Sequence, residues 1–196
     1  MLKVALTGGI ATGKSYVLDQ FRRRGVPCVS ADDLAHGVTA AGTEATAAIA
    51  ARFGPAILAA DGSVDRNMLG PLVFADAAAR HDLEAIVHPA VYRAITAFLR
   101  ALEIEKTPLA IVDVPLLFET GREKDFDRVI VTACTPERQL ARLLARGLSE
   151  ERARQRMDAQ WPTDRKVARA DFVIATDGTF EATNRQIEEV LDHLRR

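Results

Sequence analysis

Near the N-terminus, Gly8-Gly9-Ile10-Ala11-Thr12-Gly13-Lys14-Ser15 fills the pattern G-x-x-x-x-G-K-[S/T] without a gap. No other feature of the sequence limits the fold as tightly, because this pattern works only between a strand and a helix. The glycines permit backbone angles closed to other residues, so successive N–H groups can converge on phosphate oxygens. A helix opening at Lys14 adds its positive dipole end. In that setting Lys14 reaches the β- and γ-phosphates, and the Ser15 hydroxyl is a ligand for Mg²⁺. The flanks agree: residues 2–7 are short and apolar, and Val17, Leu18 and Phe21 recur at helical spacing before Gly25. A nucleoside triphosphate site is expected here.

The remaining pattern predicts one α/β domain, a P-loop NTPase fold with a doubly wound, parallel, five-stranded sheet flanked by helices. Strands are expected at 2–7, 26–29, 109–114, 128–133 and 172–175. Near-continuous apolar runs such as 109–114 suit a sheet covered on both faces. The middle reads as helical: 40–53, a helix capped by Asp65, a helix capped by Asp76, and another opening at Pro89. A basic helix is expected over 136–147, a very polar one from Ser149, and an amphipathic one over 180–194.

Composition excludes several classes. Lys and Arg total 26 against 27 Asp and Glu, a net charge of −1, which argues against a general nucleic-acid binder. The two cysteines, Cys28 and Cys134, lie far apart, so neither a disulfide framework nor a zinc site is expected. No apolar run approaches the ~18 residues of a membrane span, and residues 2–7 are too short for a signal peptide. A cytoplasmic protein with no membrane partner is the expectation.

A regulatory GTPase would carry D-x-x-G and N-K-x-D; the first is absent, and neither Asn67 nor Asn184 precedes a lysine. A kinase is favoured. Such an enzyme needs a carboxylate to take the acceptor's proton and cations to meet the charge on the phosphoryl group. Asp32, in Ser30-Ala31-Asp32-Asp33 after the second strand, stands where ligands meet such sheets; the competing reading is that Asp32 or Asp33 caps the next helix. Arg138, Arg142 and Arg146 recur every four residues and share one helix face. The polar stretch behind them reads as a lid. Asp113 and Glu119 either orient metal or water or hold neighbouring loops, and Trp161-Pro162 is either a hinge or a packed turn.

Further motifs follow in order: Thr7-Gly8-Gly9-Ile10, Ala31-Asp32, Phe53-Gly54, Asp61-Gly62 with Asp65-Arg66, Val73-Phe74, His88-Pro89, Val114-Pro115-Leu116-Leu117-Phe118-Glu119, then Gln139, Arg142, Arg146, Arg156, Gln160 and Lys166. With these the chain resembles the bacterial dephospho-CoA kinase family nearly end to end. The resemblance implies transfer of the ATP γ-phosphate to the ribose 3′-hydroxyl of dephospho-CoA, with Mg²⁺. It implies a core (about 1–35, 107–146 and 170–196), a helical acceptor-binding region (about 36–106) and a lid (about 147–169). Asp32 then matches the base on the 3′-hydroxyl, with Lys14 and Arg142 as its catalytic partners. Gly9, Ile10, Ala11, Thr12, Gly13, Lys14, Ser15, Tyr16, Arg142 and Arg146 match the ATP site. Arg66, His88, Leu116, Leu117 and Phe118 match the acceptor side, and Ser15 is the metal hydroxyl. Three positions depart from the common family pattern: Ser30 replaces a first Asp, Tyr16 a Thr, and Thr176 an Asn. The partners implied are ATP and dephospho-CoA, in a monomer by default, with a weak dimer or trimer as the alternative. The runner-up activity is a nucleoside or nucleotide kinase.

Overall fold

In the computed structural model, which describes all 196 residues, five short apolar runs pair as one parallel sheet. They are β1 (Leu2–Gly8), β2 (Cys28–Ser30), β3 (Leu109–Asp113), β4 (Arg128–Ala133) and β5 (Phe172–Ala175), in the order β2-β3-β1-β4-β5. Nine α-helices connect and extend them: α1 (Lys14–Arg23), α2 (Ala31–Val38), α3 (Glu44–Phe53), α4 (Arg66–Ala75), α5 (Ala77–Ile104), α6 (Pro136–Ala145), α7 (Glu150–Asp158), α8 (Thr163–Val167) and α9 (Phe180–Leu194). The chain groups into two units, one of Met1–Ser30 with Leu102–Arg196, the other of Ala31–Ala101.

The first unit is the sheet and its helices. Successive residues of a strand point to opposite faces, and here both faces are buried. Val4, Leu6, Ile111, Ile130 and Ile174 pack with Val17, Leu18 and Phe21 of α1 and with Ile187, Val190, Leu191 and Leu194 of α9. Their neighbours Ala5, Val112, Val129 and Val131 are buried as well, which is why β1, β3 and β4 read as continuous apolar runs. All strands run the same way, so their carboxyl ends share one edge. There β1 leads into the glycine loop, β3 into Val114–Glu119 and β5 into Thr176.

The second unit is helical, built around Ile49, Ile57, Val64 and Leu69, with Phe53, Leu58, Val73, Leu83, Ile86 and Val87 packed against them. A bridge between Leu58 and Val64 closes a turn at Asp61-Gly62. Asp61 accepts hydrogen bonds from both the backbone N–H and the hydroxyl of Ser63, which hold its carboxyl below the ordinary range. The Asp65 carboxylate caps α4, accepting from the N–H groups of Asn67 and Met68, and Asp76 accepts from Ala78 N–H at the start of α5.

The largest difference from expectation is in α5. Pro89 does not open a new helix; α5 runs through it for 28 residues. An interior proline costs about 3 kcal/mol, because it deletes an N–H and crowds the carbonyl one turn back. Packing on both sides outweighs that cost: Leu83, Ile86 and Val87 are partly buried before it, and Ala90, Val91, Ile95 and Leu99 are buried after it. A second correction is smaller. Neither Asp32 nor Asp33 sits at the cap position; α2 begins at Ala31, and both occupy its first turn.

Candidate active site

The loop between β1 and α1 is shaped by atoms on either side of it. Gly8 lies so close to β4 that a Cβ there would stand 2.6 Å from the Thr132 carbonyl oxygen and 2.7 Å from Thr12 Oγ1. The fully buried Thr12 side chain turns into the fold, its hydroxyl 2.7 Å from both the Gly9 carbonyl and the Thr132 hydroxyl. Ala11 holds φ at 60°, rare for a residue with a Cβ, and Gly13 holds 89°. These turns bring the loop round to α1. Thr43, Asp65, Thr135, Ser149 and Thr179 cap α3, α4, α6, α7 and α9 with a side-chain oxygen, whereas α1 has no such cap and no acid in its first turn. Its first intrahelical bond is from Val17 N–H to the Gly13 carbonyl, so the N–H groups of Lys14, Ser15 and Tyr16 precede the ladder. Amide groups ahead of the ladder, a dipole end and a lysine together suit an anion.

Beside the loop lies a cavity of about 470 Å³ whose lining includes Gly13, Tyr16, Arg142, Arg146, Thr176 and Phe180. Phe180, 67% exposed, stands 4.8 Å from the Tyr16 ring, and the Tyr16 hydroxyl donates to Asn184 Oδ1. Arg142 comes from α6 and is already engaged. Its Nη1 donates to the Ala11 carbonyl at 3.0 Å and to Thr176 Oγ1 at 3.1 Å, and its Nη2 to the Thr176 carbonyl at 2.6 Å. It therefore braces the left-handed turn at Ala11 against the loop after β5. Arg138 donates to the Asp177 carbonyl at 2.7 Å, and Arg146 is exposed at the C-cap of α6.

The polar stretch after α6 is more firmly seated than its composition suggests. Ala153 of α7 is fully buried with Ala11 and Leu143, and Ile10, Leu140, Leu148 and Met157 pack around them. After β3, Leu117 and Phe118 are buried, while Leu116 is 40% exposed. Glu119 accepts from the Trp161 backbone N–H at 2.9 Å and from Lys166 at 2.7 Å, so of its two readings the structure shows the holding of loops. Trp161 is a packed turn, its ring parallel to Phe118 with centroids 6.1 Å apart.

In the helical unit Asp32 is exposed in the first turn of α2. Arg66 donates to the Ala35 carbonyl and to Thr39 Oγ1, both at 3.2 Å, at the other end of that helix. A cavity of about 220 Å³ lies beside it, lined by Ile49, Val64, Leu69, Val73 and Leu83. His88 is exposed on α5. The groups that sequence reasoning passed over are Thr132, Thr176 as an Arg142 partner, and Phe180; a cross-strand contact or a loop's return leaves no local pattern to read.

The chain presents no cluster of three His, Cys, Asp or Glu able to hold a metal by itself. Ser15, exposed on the first turn of α1, offers a hard oxygen of the kind that Mg²⁺ takes.

Sheet order, glycine loop and uncapped helix start define the molecule as a P-loop kinase. The family profile described as dephospho-CoA kinase matches residues 2–182, and the chain belongs to that family. A dephospho-CoA kinase of Syntrophotalea carbinolica is 43% identical over 195 residues, covering 99% of this chain and 92% of the relative. Among solved structures, a Thermus thermophilus protein superposes with a TM-score of 0.82 at 34% identity, over 98% of this chain and 97% of the other. The dephospho-CoA kinase of Campylobacter jejuni superposes at 0.77 with 28% identity, over 98% and 96%. No helix is long and apolar enough to cross a membrane.

Proposed function

We propose that this chain transfers the γ-phosphoryl group of ATP to the ribose 3′-hydroxyl of dephospho-CoA, giving coenzyme A and ADP. The observation that carries the reading is the reach of the family match, which spans both units from residue 2 to 182. The glycine loop and the N–H groups opening α1 bind the phosphates, and Lys14 meets the charge that grows on the transferring group. Mg²⁺, held by the nucleotide and Ser15, would neutralise phosphate charge. The cavity beside Gly13 takes the adenosine, with Phe180 as a face for the base and Arg142 and Arg146 at its wall. Asp32 orients the acceptor hydroxyl and takes its proton. Arg66, His88 and the loop at Leu116 serve the acceptor; because Leu117 and Phe118 are buried, that loop contributes the Leu116 side chain and its backbone. Residues 147–169 act as the lid. Two free cysteines suit a reducing cytoplasm, and a monomer suffices for every group named.

The test is an ADP-release assay at saturating Mg·ATP with dephospho-CoA, adenosine, AMP and shikimate in parallel. Turnover on dephospho-CoA alone, with the 3′-phosphate as product, is expected. Turnover confined to a nucleoside or nucleotide acceptor would overturn the acceptor assignment.

A further inference from the structure

Residues 160–166 touch two loops at once. At one end Gln160 Oε1 accepts from Ile10 N–H at 2.8 Å, while Gln139 Nε2 donates to the Ile10 carbonyl at 2.6 Å and Thr163 Oγ1 donates to Gln139 Oε1 at 3.3 Å. Ile10 of the phosphate loop is thus gripped on both its backbone groups. At the other end stands the loop after β3. Trp161 N–H and Lys166 Nζ both donate to Glu119 Oε1, and Lys166 also lies 3.5 Å from the Pro115 carbonyl, which accepts from the Thr7 hydroxyl. Trp161 covers Phe118, and Arg165 lies 3.4 Å over the outer face of Trp161.

Lys166 is fully buried and Glu119 is 15% exposed. A buried ammonium is costly, and an apolar pair of like volume commonly serves stability as well or better. The pair is therefore poorly accounted for by stability alone. What it does supply is direction: one carboxylate oxygen fixes the Trp161 backbone, the lysine and, through the lysine, Pro115. Glu119 Oε2 accepts no hydrogen bond.

We infer that Glu119 and Lys166 are positioning residues, which hold the loop Pro115–Phe118 in register with the phosphate loop so that the acceptor meets the γ-phosphate. This rests on the reading of that loop as acceptor-binding. The pair touches neither substrate; it acts through the loop's backbone.

The experiment measures KM for dephospho-CoA and for ATP, with thermal melting, in the full chain carrying the double substitution Glu119→Gln/Lys166→Met. That variant leaves no unpaired charge in the interior. Glu119→Gln alone, which keeps an acceptor for Trp161 N–H, is the second variant and is read in the same way. Leu116→Ala reports on the loop itself. The expected result is a rise of about tenfold or more in the dephospho-CoA KM, with the ATP KM within about twofold and melting near that of the parent. Equal rises in both KM values mark a merely structural pair and overturn the inference. An unchanged dephospho-CoA KM overturns it too. If Leu116→Ala raises that KM nonetheless, the acceptor reading of the loop stands without the pair; if Leu116→Ala also leaves it unchanged, the acceptor reading falls as well.

Discussion

A single Cβ at position 8 would displace either the Thr132 carbonyl or the Thr12 hydroxyl, so Gly8→Ala tests how firmly the loop is seated. Overpacking of this kind costs about 1–3 kcal/mol. Calorimetry should show a lower melting temperature, and ATP binding should weaken with it. Lys14→Ala acts differently. It should lower kcat by about 10²–10³, the loss typical of one donor to a developing charge, while the protein stays folded. Near-normal turnover in folded protein would remove Lys14 from the chemistry. Phe180→Ala should raise the ATP KM about two- to tenfold, as the loss of one aromatic face worth ~0.5–1.5 kcal/mol would do. Cys28 offers a check on β2. Burial pushes its thiol up to about 12, against a smaller opposing pull from Arg22. At pH 8 it should react slowly with a thiol reagent until the chain is denatured. The folded state holds this proton more tightly than the unfolded state. The resulting stabilisation is complete below the unfolded value near 9 and is lost as pH rises towards 12. Rapid labelling of the native protein at pH 8 would contradict the burial.

At the scale of elements, what could be read in advance was whatever a short stretch of chain decides for itself. Arg128–Ala133 and Phe172–Ala175 form strands at the expected residues, since apolar runs between turns have few other uses. The caps at Asp65 and Asp76 follow from one side chain and the amides just after it. The glycine loop was legible for the same reason. Strand β2 begins two residues later than expected and ends one later: Pro27 has no N–H to give, and it joins the sheet only by accepting from Ile111 N–H. Helix α5 was cut in two on paper because a proline is a local signal and the burial that overrides it is not. Pro89→Ala should therefore stabilise the protein, by about 1–2 kcal/mol, once the entropy returned to the unfolded chain is set against the relieved clash. A lower melting temperature would show that the proline has a further role. The seat of α7 was hidden likewise: among nine residues, mostly charged, only Ala153 is buried, and its partners Ala11 and Leu143 lie elsewhere in the chain.

Within the sheet unit, the loops after β1, β3 and β5 meet only because the strands before them share one edge. Asp32 and Lys14 were named from sequence by their places after strands, whereas the bracing of Ala11 by Arg142 depends on side chains more than a hundred positions apart. The strand order has one more consequence. β1 is made before either of its neighbours, yet it lies in the middle of the sheet, with Leu2 opposite Leu109 and Val4 opposite Arg128. During synthesis it must wait, apolar on both faces, until most of the protein has been made. A nascent chain stopped after Asp127 would hold β1 with one neighbour and leave its other edge open to any passing strand. A segment that is among the best protected in the finished fold is thus, for a time, an open edge.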